Sequence, residues 1–366
     1  MSNPTPKVAI VHDWIIGGGA ELVVLELHRM YPEAPIYTSY CTDEWRQKLD
    51  DKVVTGYLQH WPFSKLRKFL PLLRFWWFNS LDLSKYDLVI SSSGNGEAKN
   101  IRVPNGKHIC YCHTPTHFYW RHYQQYLEHP GFGPLGSIGL RLLAGPLRRK
   151  DFAAAQRPEV FVANSTHIQK DIKTYYNRDS VVVHPPVPIE RFTRKHNGQR
   201  RGFITVGRQV PYKKVDLLIE ACNKLKLPLT VIGDGPEHGK LAAIAGPTIT
   251  LKSNVSDEEV ATAISAAEAF LFAAFEDFGI TPVEALSAGT PVIAFKGGGA
   301  LDYIKPGVNG SFFEAQTVDS ISAALQTFNT RQYNADKVAL SARAFSADGF
   351  RKAMMNVIDK AMEENA

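Results

Sequence analysis

The chain is poor in cysteine: four in 366 residues, Cys41, Cys110, Cys112 and Cys222, with no C-x-x-C pair among them. Neither a disulfide framework nor a zinc module is indicated, and a reducing compartment is expected. No run of 18 or more apolar residues occurs, so no membrane-spanning helix is expected. The apolar run that opens at Lys7 meets Asp13 too soon to be a secretory leader. A cytoplasmic protein, free or held peripherally at the inner face of the membrane, is the expectation. No D-x-D element follows a strand, and no metal or other cofactor is expected. The dinucleotide fingerprint G-x-G-x-x-G is incomplete: after Gly17-Gly18-Gly19, Leu22 stands where the last glycine belongs. That disfavours a nicotinamide-dependent oxidoreductase.

Negative charge is missing locally. Between Asp51 and Asp82 there is no acidic residue, while Lys52, Lys65, Arg67, Lys68 and Arg74 alternate with Trp61, Phe63, Phe69, Phe75, Trp76, Trp77 and Phe78. From Met1 to His184 the chain carries 22 basic and 16 acidic residues, so the net charge of +6 belongs entirely to that half. Such a half is suited to something anionic: nucleic acid, a phospholipid surface or a phosphorylated substrate. Basic residues set among interfacial aromatics fit an anionic membrane surface better than nucleic acid, with Lys65, Arg67, Lys68, Trp76 and Trp77 as contacts. Burial of the same aromatics in a core is the alternative. Leu66 to Trp77 keeps helical spacing, which Pro71 should break. A second acid-free stretch, 129–150, ends in Arg148-Arg149-Lys150.

What is present reads as an α/β protein. Hydrophobic residues make up 44% of the chain, enough for real cores, and the length suits two domains. Short apolar runs end in small polar residues at Val8–Val11, Leu88–Ile90, Ile109–Cys112 and Val160–Ala163. After the proline-rich stretch from Val183 to Gln199, strands predicted at Phe203–Val206, Leu229–Ile232, Thr248–Leu251, Ala269–Phe272 and Val292–Ala294 alternate with helices. Two Rossmann-like, doubly wound domains facing a cleft follow, 1–184 and 185–344, with a final helix over 345–366 expected to pack back on the first.

Several loops at strand ends carry candidate chemistry. Gly17-Gly18-Gly19, between a strand and a helix, offers bare amides to an anionic group, or is simply a flexible turn. Arg208 and Lys213 bracket the loop after Val206, a cradle for a diphosphate if they are more than a solvated basic turn. Glu276 and Glu284 bracket Phe278-Gly279-Ile280 and a helix start near Pro282, which would put Glu284 in the first helical turn. His113, two residues before Pro115, sits on a strand-end loop, although a core histidine is the alternative.

Taken together, Gly207-Arg208 with Lys213, Gly233-Asp234-Gly235-Pro236, the Glu276 to Glu284 pair and Gly297-Gly298-Gly299 resemble glycosyltransferase family 4, the retaining GT-B enzymes. Val11-His12-Asp13-Trp14 and Cys112-His113-Thr114-Pro115 resemble its bacterial O-antigen and exopolysaccharide mannosyltransferases. The resemblance covers nearly the whole chain. It implies that a nucleotide diphosphate sugar binds the second domain, with Arg208 and Lys213 on the diphosphate, Glu284 on the ribose and Glu276 on the sugar. It also implies that Gly18 and Gly19 approach the phosphates or the acceptor, and that His113 hydrogen-bonds the donor sugar. Asp13 and Trp14 would lie on the acceptor side. Asp302 departs from the pattern, since many members carry Glu shortly after the glycine cluster. The implied reaction moves a hexose, by subfamily likeness mannose from GDP-mannose, onto a lipid-linked saccharide in surface polysaccharide or lipopolysaccharide synthesis. A UDP-sugar donor and a non-catalytic sugar-nucleotide-binding protein are the alternatives.

Overall fold

The computed structural model describes residues 6–66, 70–94, 97–121, 123–128, 133–192 and 198–363. Two units emerge, Met1–Pro185 with Phe350–Ala366, and Pro186–Gly349.

The first unit is built on a parallel sheet of seven strands: β1 (Val8–His12), β2 (Ile36–Thr38), β3 (Val53–Val54), β4 (Leu88–Ser93), β5 (Lys107–Cys112), β6 (Val160–Ala163) and β7 (Val181–Val182). Their spatial order is β3-β2-β1-β4-β5-β6-β7. β1 and β4 are buried along their whole length, so both sheet faces need cover. Side-chain alternation decides what supplies it. Val8 and Ile10 pack with Val23, Val24 and Leu27 of the helix Gly19–Met30 and with Phe350, Met354 and Ile358 of the helix Ala347–Glu363. Ala9 and Val11 face the other way, onto a cluster that includes Trp77, Phe78 and Ala98.

The second unit repeats the plan with six parallel strands: β8 (Phe203–Val206), β9 (Leu229–Ile232), β10 (Ile249–Lys252), β11 (Ala269–Phe272), β12 (Val292–Phe295) and β13 (Gly310–Phe313). Their order is β10-β9-β8-β11-β12-β13. Ile204, Phe270, Phe272 and Val292 serve the core on one face, and Phe203, Leu271 and Ile293 the core on the other. The strand order reverses between β1 and β4 in one sheet and between β8 and β11 in the other. Loops from those neighbouring strands diverge there, and at such points open parallel sheets take their ligands.

The alternation of strands and helices therefore predicts the doubly wound architecture correctly. It misses β2, β3, β7 and β13, which are two to four residues long and sit at or near sheet edges. β13 also opens with Gly310, because a Cβ there would stand 2.1 Å from the Val292 carbonyl oxygen. Pro71 breaks the apolar stripe as expected, taking the first position of the helix Pro71–Asn79, where its missing N–H is no loss. One surface assignment is overturned. Trp77 is buried with Arg74, Phe75 and Phe78, while Trp76 alone of the pair faces outward at 60% exposure. Trp77 fills the space over Gly56, where a Cβ would stand 2.1 Å from its Nε1. Arg67 and Lys68 lie outside the described residues.

Candidate functional site

In the second unit, β8 ends at Val206 and the chain turns on Gly207, whose φ of +154° suits a residue without a side chain. The neighbouring turn explains two more glycines. A Cβ on Gly233 would stand 2.1 Å from the Gly207 carbonyl oxygen, and one on Gly235 would stand 2.3 Å from that of Gln209. Gly233-Asp234-Gly235 thus braces the loop that carries Arg208, and the Asp234 carbonyl accepts the Gln209 N–H at 2.8 Å.

Lys213 folds back over this turn, its Nζ 3.9 Å from where a Cβ of Gly207 would be. There it forms an ion pair with Glu276 Oε1, each side chain about one-fifth exposed. Arg208 is exposed, and no described residue pairs with its guanidinium. Gly207, Arg208, Lys213 and Phe272–Ala274 line one small depression. The structure so brings Arg208, Lys213 and Glu276 to the ends of the adjacent strands β8 and β11.

The loop bearing Glu276 is held by backbone. Gly299 N–H donates to the Glu276 carbonyl at 2.9 Å, and Gly298, at φ +60°, would put a Cβ 2.2 Å from that same oxygen. Gly297-Gly298-Gly299 acts as a seat for the Glu276 loop. Phe278 is buried against Tyr303 and Phe345, ring centroids 5.5 and 5.8 Å away, so its ring belongs to the core rather than to an open site. Gly279, at φ +91°, releases the chain into the helix Ile280–Ser287. That helix begins two residues ahead of Pro282, so Glu284 lies in its second turn rather than its first. Burial raises the Glu284 carboxyl to about 7, Arg191 opposing and Asp257 adding to the rise. Asp302 stands in the short helix Ala300–Tyr303 that follows the glycine seat.

In the first unit the glycine loop already holds a carboxylate. Glu21 Oε1 accepts the amides of Ile16 and Gly17, both at 3.0 Å, just ahead of Gly18 and of Gly19 at the first position of its helix. Sequence reasoning missed Glu21, although an acid in the first turn after a glycine loop is itself a capping signal. Asp13 is buried, its two oxygens taking the amides of Gly94 and Ala98 at 2.7 Å each. Beside it Arg74 pairs with Glu97 at 2.7 Å and lies 4.8 Å from the Trp14 ring. Burial raises Glu97 to about 7, with Asp13 adding to the rise and Arg74 opposing it. Asp151, also missed, is buried among four donors: Lys99 at 2.6 Å, Thr116 at 3.1 Å, Trp120 at 2.7 Å and Tyr176 at 2.8 Å. No apolar period marks a buried acid, which is why such residues escape a hydrophobicity reading.

His113 follows β5, and its Nε2 lies 2.8 Å from Ser92 Oγ on the neighbouring β4. Burial pushes its ring down to about 3, His12 adding to the effect, so the ring is neutral.

Residues 17–191 match the family described as Glycosyltransferase Family 4, and residues 186–344 match Glycosyl transferases group 1. Similar proteins include the D-inositol 3-phosphate glycosyltransferase of Mycobacterium marinum, 28% identical over 39% of this chain and 36% of that protein. The GDP-mannose-dependent alpha-mannosyltransferase of Corynebacterium glutamicum is 33% identical over 29% of this chain and 25% of its own length. The chain thus spans well under half of these curated relatives. Among solved structures, the Anabaena protein HepE in complex with UDP and glucose covers 97% of this chain and 100% of its own, at 16% identity and a TM-score of 0.69. Sucrose-phosphate synthase of Thermosynechococcus elongatus covers 98% of this chain and 99% of its own, at 14% identity and a TM-score of 0.72. The shared fold is GT-B.

Proposed function

The chain belongs to glycosyltransferase family 4, and from that membership we propose that it is a retaining, metal-independent hexosyltransferase acting from a nucleotide diphosphate sugar. The observation that carries this reading is the Lys213–Glu276 pair beside the exposed Arg208. A carboxylate occupies the cation in the absence of donor. An arriving diphosphate brings more charge than Glu276 and takes over Lys213, with Arg208 able to grip a second oxygen. Glu276, released at that moment, is free to accept hydroxyls of the sugar. Two cations on the departing diphosphate stabilise the charge that grows as the bond from sugar to phosphate breaks, and the acceptor hydroxyl enters on the face that the diphosphate leaves, passing its proton to the departing phosphate oxygen. Glu284 serves the ribose, the amides at Gly18 and Gly19 serve phosphate or acceptor, and His113 serves the sugar.

The donor we favour is GDP-mannose and the acceptor a lipid-linked saccharide of surface polysaccharide synthesis. A UDP-sugar is the second reading, supported by the UDP held in the Anabaena relative. No helix among the described residues is long and apolar enough to cross a membrane. Access to a lipid-linked acceptor instead rests on surface attachment through Lys65 and Trp76, joined by the exposed Trp61 and Leu66. The helix Gly133–Ala154 adds exposed Leu142 and Leu143 beside Arg149 and Lys150.

The deciding experiment incubates the protein with GDP-mannose, other GDP-sugars and UDP-sugars, with a lipid-linked acceptor and with EDTA. It reads released nucleotide and the anomeric configuration of the product. Release from one donor with EDTA present, and a product of the donor's own configuration, is expected. No release from any donor would overturn the reading, and an inverted product or loss with EDTA would overturn the corresponding part.

A further inference from the structure

We infer that Ser92 and His12 are positioning residues that fix His113 in the tautomer protonated on Nδ1, so that its outward nitrogen is a hydrogen-bond donor. His12 is buried on β1, and its Nδ1 lies 2.9 Å from the Ser92 carbonyl oxygen and 3.0 Å from Ser92 Oγ. A carbonyl oxygen can only accept, so His12 Nδ1 carries a proton. The Ser92 hydroxyl therefore cannot donate to His12. Its other contact is His113 Nε2 at 2.8 Å, which is the acceptor left for its proton among the described residues. A buried hydroxyl proton without an acceptor is costly, so the hydroxyl donates to Nε2 and Nε2 is bare. The ring is neutral, and its single proton resides on Nδ1. No described residue bonds to that nitrogen.

The backbone holds the chain of bonds in place. β1 pairs with β4 in the register His12 to Ser92, and β4 pairs with β5 in the register Ser93 to Cys112. His113 N–H donates to the Ser93 carbonyl at 2.9 Å, and the Asn164 side-chain amide donates to the His113 carbonyl at 2.9 Å. Imidazole orientation and tautomer are thus set by three neighbouring strands before any ligand arrives. The consequence for transfer rests on the reading that His113 meets the donor sugar: a ring bare on Nδ1 could accept from a sugar hydroxyl, whereas this one donates to a sugar oxygen.

The test uses the full chain labelled with 15N in histidine. Long-range ring correlations separate nitrogens bearing a proton from bare ones, and the His113 signals are identified by their loss in His113→Gln. The parent is expected to carry the proton on Nδ1. Ser92→Ala should move it wholly or partly to Nε2 and lower kcat about tenfold with little change in KM for the donor, the effect of one misplaced hydrogen bond. Ser92→Thr, which keeps the hydroxyl, should restore both. A parent protonated on Nε2, or a Ser92→Ala variant with unchanged tautomer, overturns the inference. A shifted tautomer with unchanged transfer leaves the inference standing and removes His113 from the donor sugar.

Discussion

Lys213 Nζ and Glu276 Oε1 meet across the ends of β8 and β11, the two strands between which the second sheet reverses its order. Each partner is the other's counter-ion, and a donor bound as proposed would part them. Replacing Lys213 should consequently weaken nucleotide binding, whereas replacing Glu276 should not.

Lys213→Ala removes a charge-assisted contact to phosphate and leaves Glu276 as an uncompensated negative charge beside it. Affinity for GDP or UDP should fall by about 1.5 to 3 kcal/mol, the worth of such a bond. Calorimetry on the purified variant checks this, and parental affinity would show that the diphosphate lies elsewhere.

Glu276→Ala frees Lys213. Nucleoside diphosphate should bind as tightly as to the parent or more so, while turnover collapses because the sugar loses its carboxylate. Glu284→Ala should instead weaken nucleotide binding itself. Equal losses of affinity in both variants would refute the division of labour.

Glu284 titrates in the fold near 7, against about 4.5 in the unfolded chain. Between these values the fold binds the proton and the unfolded chain does not. Stability is therefore fully supported at low pH and declines as pH rises through that window, by about 3 kcal/mol in total. Glu284→Gln, which cannot ionise, should gain on the parent in melting temperature as pH is raised from 5 to 8. Parallel melting curves across that range would contradict a raised carboxyl.

Trp76 and Trp77 are neighbours in sequence with different fates. Trp76→Ser together with Lys65→Glu should reduce co-sedimentation with anionic vesicles, most visibly at low salt, and leave the melting temperature alone. Trp77→Ala empties a buried site and should cost about 3 to 5 kcal/mol of stability. If the surface pair binds vesicles as the parent does, the aromatic segment is not a lipid contact.

Strands whose residues all face a core were legible because composition alone marks them: Val8–Val11, Val160–Ala163 and Ala269–Phe272 have no polar alternation to confuse with a helix. The stripe from Leu66 to Trp77 was harder, since helical spacing states that one side is apolar and not which side is inward. Gly56, ten residues ahead of that stripe, decides that Trp77 is the buried partner. At the site, cations and acids were legible as residue types, but their pairing was not. Only the strand order brings Lys213 against Glu276, and only the register of three strands brings His12, Ser92 and His113 into one chain of hydrogen bonds.

The helix Ala347–Glu363 contributes Phe350, Met354 and Ile358 to the core of the first unit, across the interval taken up by the second. On the ribosome these residues emerge after Pro186–Gly349 has been made. Until they do, Val8 and Ile10 lack Phe350, Met354 and Ile358 on one face of their sheet. The first unit is therefore closed by residues made only after the whole second unit, so its N-terminal portion alone cannot complete its core.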